Sequence, residues 1–280
     1  MPRTGSFKRL KSEILRFLQE NEIDKQIIFR LEGSGRQPYT EPIFTNEDDL
    51  NFENIRTIII HYRQESISIP FELYHEVSHV ILGKKVHIWL LMYSILEDPA
   101  FTGYKDRIMM VLHLLDLPVD DFLFECQREL VIEYNLNLNE QQLTIFNQLA
   151  DEERTTQILA TLRRQYGTIQ STSTNNSLFY DFIVITLALS AVNVEKYLDH
   201  PNKEHYLELH NYILDVVERK FNSSYPFREY FDQLKGFLSK YSFSIRSESD
   251  LVSYLSDCLE SLEIPATLQN ERGHMRLVSR

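Results

Sequence analysis

The sequence predicts a mainly α-helical protein of the α+β class. In it, a small sheet or hairpin packs on one functional helix, and a helical C-terminal half follows. Apolar residues recur at helical spacing through most of the 280 residues. The chain has 8 glycines and 9 prolines, fewer than the tight turns of an all-β protein would need. Hydrophobic residues make up 43 % of the chain, which is enough for a sizeable core.

One strand is expected before the functional helix. Residues Ile55 to Tyr62 form a run rich in β-branched side chains, and Ile67 to Ile69 would return beside it as a hairpin partner. His61, in the expected strand, is interpreted as structural rather than as a metal ligand. Upstream, residues 33–42 contain two glycines and two prolines, which indicates a loop. A helix over residues 7–20 comes first, because its apolar side chains share one face.

The functional helix is expected over residues 70–83. Pro70 suits the first turn of a helix, where its missing N–H costs nothing, and Gly83 suits the position just after the last turn. Four further helical segments are expected before residue 167: one that ends at Pro99, one that Pro118 stops, one that begins at Asp120 and Asp121 and runs to about Tyr134, and one from Asn139 to about Gln165.

One polar segment predicts the domain organisation. Residues 167–177 are small, polar and aperiodic, which is typical of a linker. They would divide a metal-binding portion, residues 1–166, from a helical portion of unknown role, residues 178–280. In that second portion we expect helices at residues 178–198, 203–222, 226–241 and 248–262, and a frayed polar tail after Pro265.

Charge and targeting signals argue against several classes of protein. The net charge of −12 disfavours a nucleic-acid binder, because phosphate neutralisation needs clustered lysine and arginine. The first residues lack the apolar core of a secretory signal. The longest apolar run, Leu178 to Val192, is too short for a comfortable membrane span. We therefore expect a cytoplasmic protein with no nucleic-acid partner and no membrane partner.

The functional helix contains His75-Glu76-Val77-Ser78-His79, which is the HExxH pattern. On an α-helix, side chains four residues apart share one face, with Cβ atoms about 6 Å apart. Two imidazoles placed in this way can bind one zinc ion, each nitrogen lying about 2 Å from the metal. Glu76 would lie beside the metal, placed to accept a proton from the attacking water. The alternative is two partly buried histidines and a surface glutamate on an ordinary core helix.

A catalytic zinc takes three protein ligands and keeps one position open. Glu97 is the first choice for the third ligand. It ends an apolar helix, where negative charge is unfavourable unless something binds it. Asp98 is a substitute, or a hydrogen-bond partner of a ligating histidine. Glu125 is a further candidate, because the apolar residues around it indicate a buried turn.

These residues resemble the zincin metallopeptidases. The similarity covers Leu73 to Val80 and, more loosely, the strand before this segment and the carboxylate helix after it. Glu97 resembles the third ligand of the gluzincin branch. The resemblance implies that both motif histidines and Glu97 bind zinc and that Glu76 is the general base. Phe101 stands where the gluzincin helix carries an acidic residue, and Leu82 stands where the metzincin motif has its glycine.

The expected function is a zinc-dependent hydrolase, a metallopeptidase that acts on a peptide or protein through a zinc-activated water, with Glu76 as general base. Tyr93, Tyr104 and His113 are candidate donors to the oxyanion. Two other functions stay open. One is a non-catalytic helical interaction or regulatory protein, in which the HExxH pattern is structural or inactive. The other is a regulator or toxin that cleaves one specific partner, with recognition supplied by the C-terminal half.

Overall fold

The computed structural model of the protein describes residues 4–32, 38–45, 52–63, 69–86, 105–134, 201, 203–204, 208, 247–261, 264–271 and 274–279. The chain divides into two compact units, one formed by Met1–Val131 with Phe243–Arg280 and the other by Ile132–Ser242. All the elements named below belong to the first unit. The expected linker at residues 167–177 lies outside the described residues and stays a prediction, as do the helices expected at 178–198 and 226–241.

The first unit contains a three-stranded mixed sheet in the order β1-β3-β2. Strand β1 spans Gln26–Leu31, β2 spans Tyr39–Phe44 and β3 spans Ile55–Tyr62. The prediction of β3 is confirmed at both ends. Its β-branched run is buried from Thr57 to His61, as a central strand with side chains covered on both faces requires. Strand β1 pairs with β3 in parallel, and β2 pairs with it antiparallel.

Two predictions about this sheet are wrong. The antiparallel partner of β3 is β2, which precedes it, whereas Ile69 already begins the next helix and residues 67–68 lie outside the described residues. The last four residues of the segment expected to be a loop, 39–42, belong to β2. Its Pro42 fits a strand at the edge of a sheet, where a missing N–H removes no hydrogen bond to a neighbour.

Two helices pack together beside the sheet. Helix α1 spans Thr4–Glu20 and buries Ile14, Phe17 and Leu18 on one face, the spacing expected of an amphipathic helix. Helix α2 spans Ile69–Val86, and Pro70 lies in its first turn as predicted. Gly83 does not end it: this residue is buried inside the helix, which continues for three more residues.

Helix α2 is the buried centre of the unit. It packs on α1, on β2 and β3, and on the two helices α3 and α4. Helix α3 spans Lys105–Cys126 and α4 spans Glu248–Ser261. The buried apolar residues of α2 surround its axis, which explains why it has no exposed polar stripe. They are Phe71, Leu73, Tyr74, Val77, Val80, Ile81 and Leu82.

Pro118 does not stop α3, contrary to the prediction. The helix runs through it, and Asp120 and Asp121 lie inside the same helix rather than at the start of a new one. A proline in a helix interior removes one backbone hydrogen bond and disfavours the helix. Here Leu117 and Val119, on either side, are buried at 4 % and 0 % exposure. Their burial offsets that cost and keeps the helix continuous.

The C-terminal tail is ordered, contrary to the prediction that it frays after Pro265. Strands β4, Ala266–Glu271, and β5, His274–Ser279, form an antiparallel hairpin. Strand β4 packs on α4, and Ile264 and Ala266 are buried there. The prediction of α4 itself is confirmed to within one residue at its C-terminal end. Among the described helices, none combines the length and the hydropathy needed to cross a bilayer.

The burial of α2 can be tested with one core substitution. Leu73→Ala should destabilise the first unit by about 2–5 kcal/mol, because Leu73 is fully buried. Leu15→Ala removes the same atoms from the outer side of α1, where Leu15 is 39 % exposed, and should cost less than about 1 kcal/mol. Guanidinium denaturation followed by circular dichroism measures both losses. Equal losses would contradict the central position of α2.

Candidate metal centre

Four titratable side chains meet where α3 crosses α2. His75 and His79 lie one turn apart on α2, and Asp116 and Asp120 lie one turn apart on α3. Helical residues four apart share a face, so each helix presents one pair to the other. His79 is buried, and the other three are partly buried.

Three of these side chains converge on one point. The Nε2 atoms of His75 and His79 are 3.1 Å apart, and Nε2 of His79 is 3.4 Å from Oδ1 of Asp116. One ligand atom from each of the three residues lies within 4.8 Å of the others, so the group could hold a metal ion. Two nitrogens that each bind a tetrahedral metal at about 2.0–2.1 Å are about 3.3 Å apart, close to the observed spacing.

The fourth side chain, Asp120, orients one of the histidines. Its Oδ1 lies 2.9 Å from Nδ1 of His75. A hydrogen bond from Nδ1–H to this carboxylate leaves Nε2 of His75 directed at the cluster. Carboxylates hold ligating histidines in this way in many metal sites, where they fix the ring and raise its basicity. The Nδ1 atom of His79 is buried and has no hydrogen-bond partner among the described residues.

Glu76 lies on a different side of α2, toward the sheet. It is 8 % exposed, and its Oε2 accepts a hydrogen bond of 2.8 Å from the hydroxyl of Thr40 on β2. Successive helical residues are about 100° apart around the axis, so Glu76 adjoins the cluster without belonging to it. This is the position expected of a group that acts beside a metal and does not ligate it.

The two histidines carry different charges without a metal. Burial lowers the pKa of His75, but the hydrogen bond to Asp120 and the surrounding carboxylates outweigh it and raise that pKa from 6.5 to about 10. Burial and the positive charge of His75 hold the pKa of His79 well below 6.5. Near neutral pH, the His75 imidazolium therefore donates through Nε2 to the neutral Nε2 of His79.

The two neighbouring carboxyl groups, Asp116 and Glu76, both have raised pKa values. Burial raises the pKa of Asp116, the charge of His75 lowers it and two nearby carboxylates raise it, so that it reaches about 7. Burial also raises the pKa of Glu76, which the charge of His75 and the hydrogen bond from Thr40 partly oppose. A cation placed between these carboxylates would favour their ionised forms.

The other sequence-predicted site residues have different outcomes. Glu97 and Asp98 lie outside the described residues, as do Tyr93 and Tyr104, so their roles stay predictions. His113 lies in the described part of α3, but its side chain is not described. The turn around Glu125 is buried at Leu123, but Glu125 itself and Cys126 are exposed at the end of α3.

Asp116 is the site residue that the sequence analysis missed. The usable signal was the spacing of Asp116 and Asp120 within an otherwise apolar stretch, which places two carboxylates on one helical face. Interpreting Pro118 as a helix end hid this pairing, because it assigned the two aspartates to different helices.

His61 occupies a separate cluster on β3. It is 1 % exposed, with Nδ1 at 2.5 Å from Glu32 and Nε2 at 2.9 Å from Glu41. Tyr39 stacks on its ring at a centroid distance of 3.9 Å. Each ring nitrogen faces a different carboxylate, which agrees with the structural role expected for this histidine.

Comparison with known proteins identifies no relative: no protein-family model, no curated protein and no solved structure matches this chain.

The charge state of the cluster predicts that metal binding releases a proton. A metal must displace the proton on His75, whose pKa of about 10 keeps it protonated at pH 8.5, so His75 should release about one proton per zinc bound at that pH, in addition to the proton lost by a zinc-bound water. Calorimetric zinc titrations in two buffers of different ionisation enthalpy measure this number. Asp120→Asn removes the carboxylate that favours the proton and should reduce the release. Zinc uptake by the wild type without proton release would contradict the assignment.

Proposed function

We propose that this protein is a zinc-dependent hydrolase that cleaves peptide bonds, with His75, His79 and Asp116 as the metal ligands. The observation that carries the proposal is the convergence of these three ligand atoms within 4.8 Å on the helix that bears the HExxH pattern. Glu97 is then not needed to complete a set of three.

The donor set suits zinc. Two imidazole nitrogens and one carboxylate oxygen are the ligand types of catalytic zinc sites, which hold the metal with three protein ligands and leave a fourth position open. The same set also serves iron(II) in oxygenases. The buried carboxylate of Glu76 next to the cluster favours hydrolysis, because this reaction needs a base at the metal.

Each residue of the site has a separate role in the proposed hydrolysis. A bound zinc would supply a water of near-neutral pKa and polarise the scissile carbonyl. His75, His79 and Asp116 would hold the metal, and Asp120 keeps the ring of His75 in position through Nδ1. Glu76 accepts a proton from the attacking water and passes it to the leaving amine.

The sheet next to the site supports a peptide as the substrate. Strand β2 is an edge strand of the described sheet, and its Thr40 contacts the proposed base directly. An edge strand can hold an extended peptide through main-chain hydrogen bonds. A peptide bound along β2 would lie on the strand whose Thr40 contacts Glu76, the proposed base.

Metal content tests the ligand set. We expect one zinc per wild-type chain by elemental analysis and none in His75→Ala/His79→Ala. Asp116→Ala should weaken zinc binding by at least about 100-fold, because it removes one of three ligands, whereas Glu97→Ala should keep the metal. The opposite result for these two variants would make Glu97 the third ligand. Iron in place of zinc would contradict the hydrolase, and no uptake of added zinc would favour a non-catalytic protein.

Turnover tests the role of Glu76. Glu76→Gln should retain zinc and lose about 10²–10⁴-fold in kcat, because it removes the base but no ligand. New peptide termini released from a mixed peptide library, detected by mass spectrometry, give the readout. Glu72→Gln is the matched control. Glu72 lies one turn earlier on α2 and pairs with Arg63 at 2.9 Å, so the variant should keep most of the turnover. Full activity in Glu76→Gln would disprove this mechanism.

A further inference from the structure

We infer that Thr40 is a positioning residue for Glu76, an inference that rests on the proposed function. Thr40 lies on β2, is 9 % exposed and reaches across to the HExxH helix. Its Oγ1 is 2.8 Å from Oε2 of Glu76 and 3.2 Å from the main-chain oxygen of the same residue. Thr40 is the one donor to the Glu76 carboxylate within the part of the chain that the structure describes.

The hydroxyl of Thr40 has a single proton, and the carboxylate is its better acceptor. A hydrogen bond to an ionised oxygen is shorter and stronger than one to a neutral carbonyl, and the distance to Oε2 is the shorter of the two. The bond ties Oε2 to the strand. It therefore fixes the rotation of the carboxylate and leaves Oε1 to accept the proton of the attacking water.

Thr40 is itself held in place by its neighbours on β2. Residues Tyr39 and Glu41, on either side, both contact His61 of β3: Tyr39 stacks on the ring, and Glu41 lies 2.9 Å from Nε2. Thr40 pairs with Ile60 in the antiparallel register. The structural cluster around His61 thus anchors the segment of strand that aims the Thr40 hydroxyl at Glu76.

The hydrogen bond from Thr40 should affect the rate of reaction, because it holds the carboxylate of the proposed base in place. A base must keep the reacting atoms in a narrow geometry, and a displacement of about 1 Å can cost about 100-fold in rate. A buried glutamate without its hydrogen bond would rotate toward another partner. The Thr40 hydroxyl prevents that rotation through its contact with Glu76 alone, and a side-chain substitution leaves the main chain of β2 in place. Its loss should therefore reduce kcat and leave metal content and KM near their wild-type values.

The experiment compares Thr40→Val, Thr40→Ser and a control, each assayed for zinc content, kcat and KM on a peptide that the wild type cleaves. Thr40→Val keeps the shape and removes the donor; we expect kcat to fall about 10–100-fold. Thr40→Ser restores the hydroxyl and should stay within about threefold of wild type. Thr57→Val is the matched control, because Thr57 is a buried threonine of the same sheet whose hydroxyl donates to Gln26 instead. Its kcat should not change.

The outcomes separate this inference from the proposed function. An active, zinc-containing wild type with unchanged kcat in Thr40→Val would overturn the role of Thr40 alone. So would a Thr40→Ser variant as slow as Thr40→Val, or equal losses in Thr57→Val, since either points to a general effect on the sheet. If Thr40→Val does not fold, the Thr40→Ser and Thr40→Ala pair decides: equal kcat in the two overturns the inference. A wild type without zinc-dependent cleavage overturns the proposed function and, with it, the role of Thr40.

Discussion

The packing of α3 against α2 is the contact on which the candidate metal centre depends. Each helix contributes two polar side chains one turn apart, and the turn length is the same in both helices. The two pairs therefore lie opposite each other, so that Asp120 meets Nδ1 of His75 and Asp116 meets Nε2 of His79. This match requires an uninterrupted α3. A helix that ended at Pro118 would present Asp116 without Asp120, and His75 would lose the carboxylate that orients it.

Helix α2 presents functional side chains to two neighbours, α3 and the sheet, and its burial determines which side chain faces which neighbour. Its histidines face α3, while Glu76, one residue later, faces the sheet and accepts a hydrogen bond from Thr40. A rotation of α2 about its axis by about 100°, the angle between successive residues, would turn the histidines away from α3 and Glu76 away from Thr40. The apolar residues that surround its axis prevent such a rotation, because each fills a close-packed position. The same burial that stabilises the helix thus sets the direction of every functional side chain on it.

The sequence predicted what depends on local pattern and missed what depends on tertiary context. The β-branched run predicted β3 over its full length, and the HExxH spacing predicted that the two histidines share one face of the helix. Strand β2 was missed because Pro42 signals a loop locally and is tolerated only because β2 lies at an edge. Asp116 was missed because its partners are on another helix, and because buried neighbours carry α3 through Pro118. No local preference encodes either fact.

A comparison within the protein separates a structural histidine from a candidate ligand. At His61, each ring nitrogen is hydrogen-bonded to its own carboxylate, so neither nitrogen is available to a metal. At His75 and His79 the two Nε2 atoms instead point at each other, 3.1 Å apart, and they share one proton between them. Burying the charged His75 ring beside the neutral His79 ring gains little stability, because burying a charged group is often no better than packing an apolar one. Convergent nitrogens beside a half-buried carboxylate are what a cation requires, and perturbed titratable groups of this kind cluster at functional sites. This contrast favours metal binding over a purely structural role for the HExxH helix.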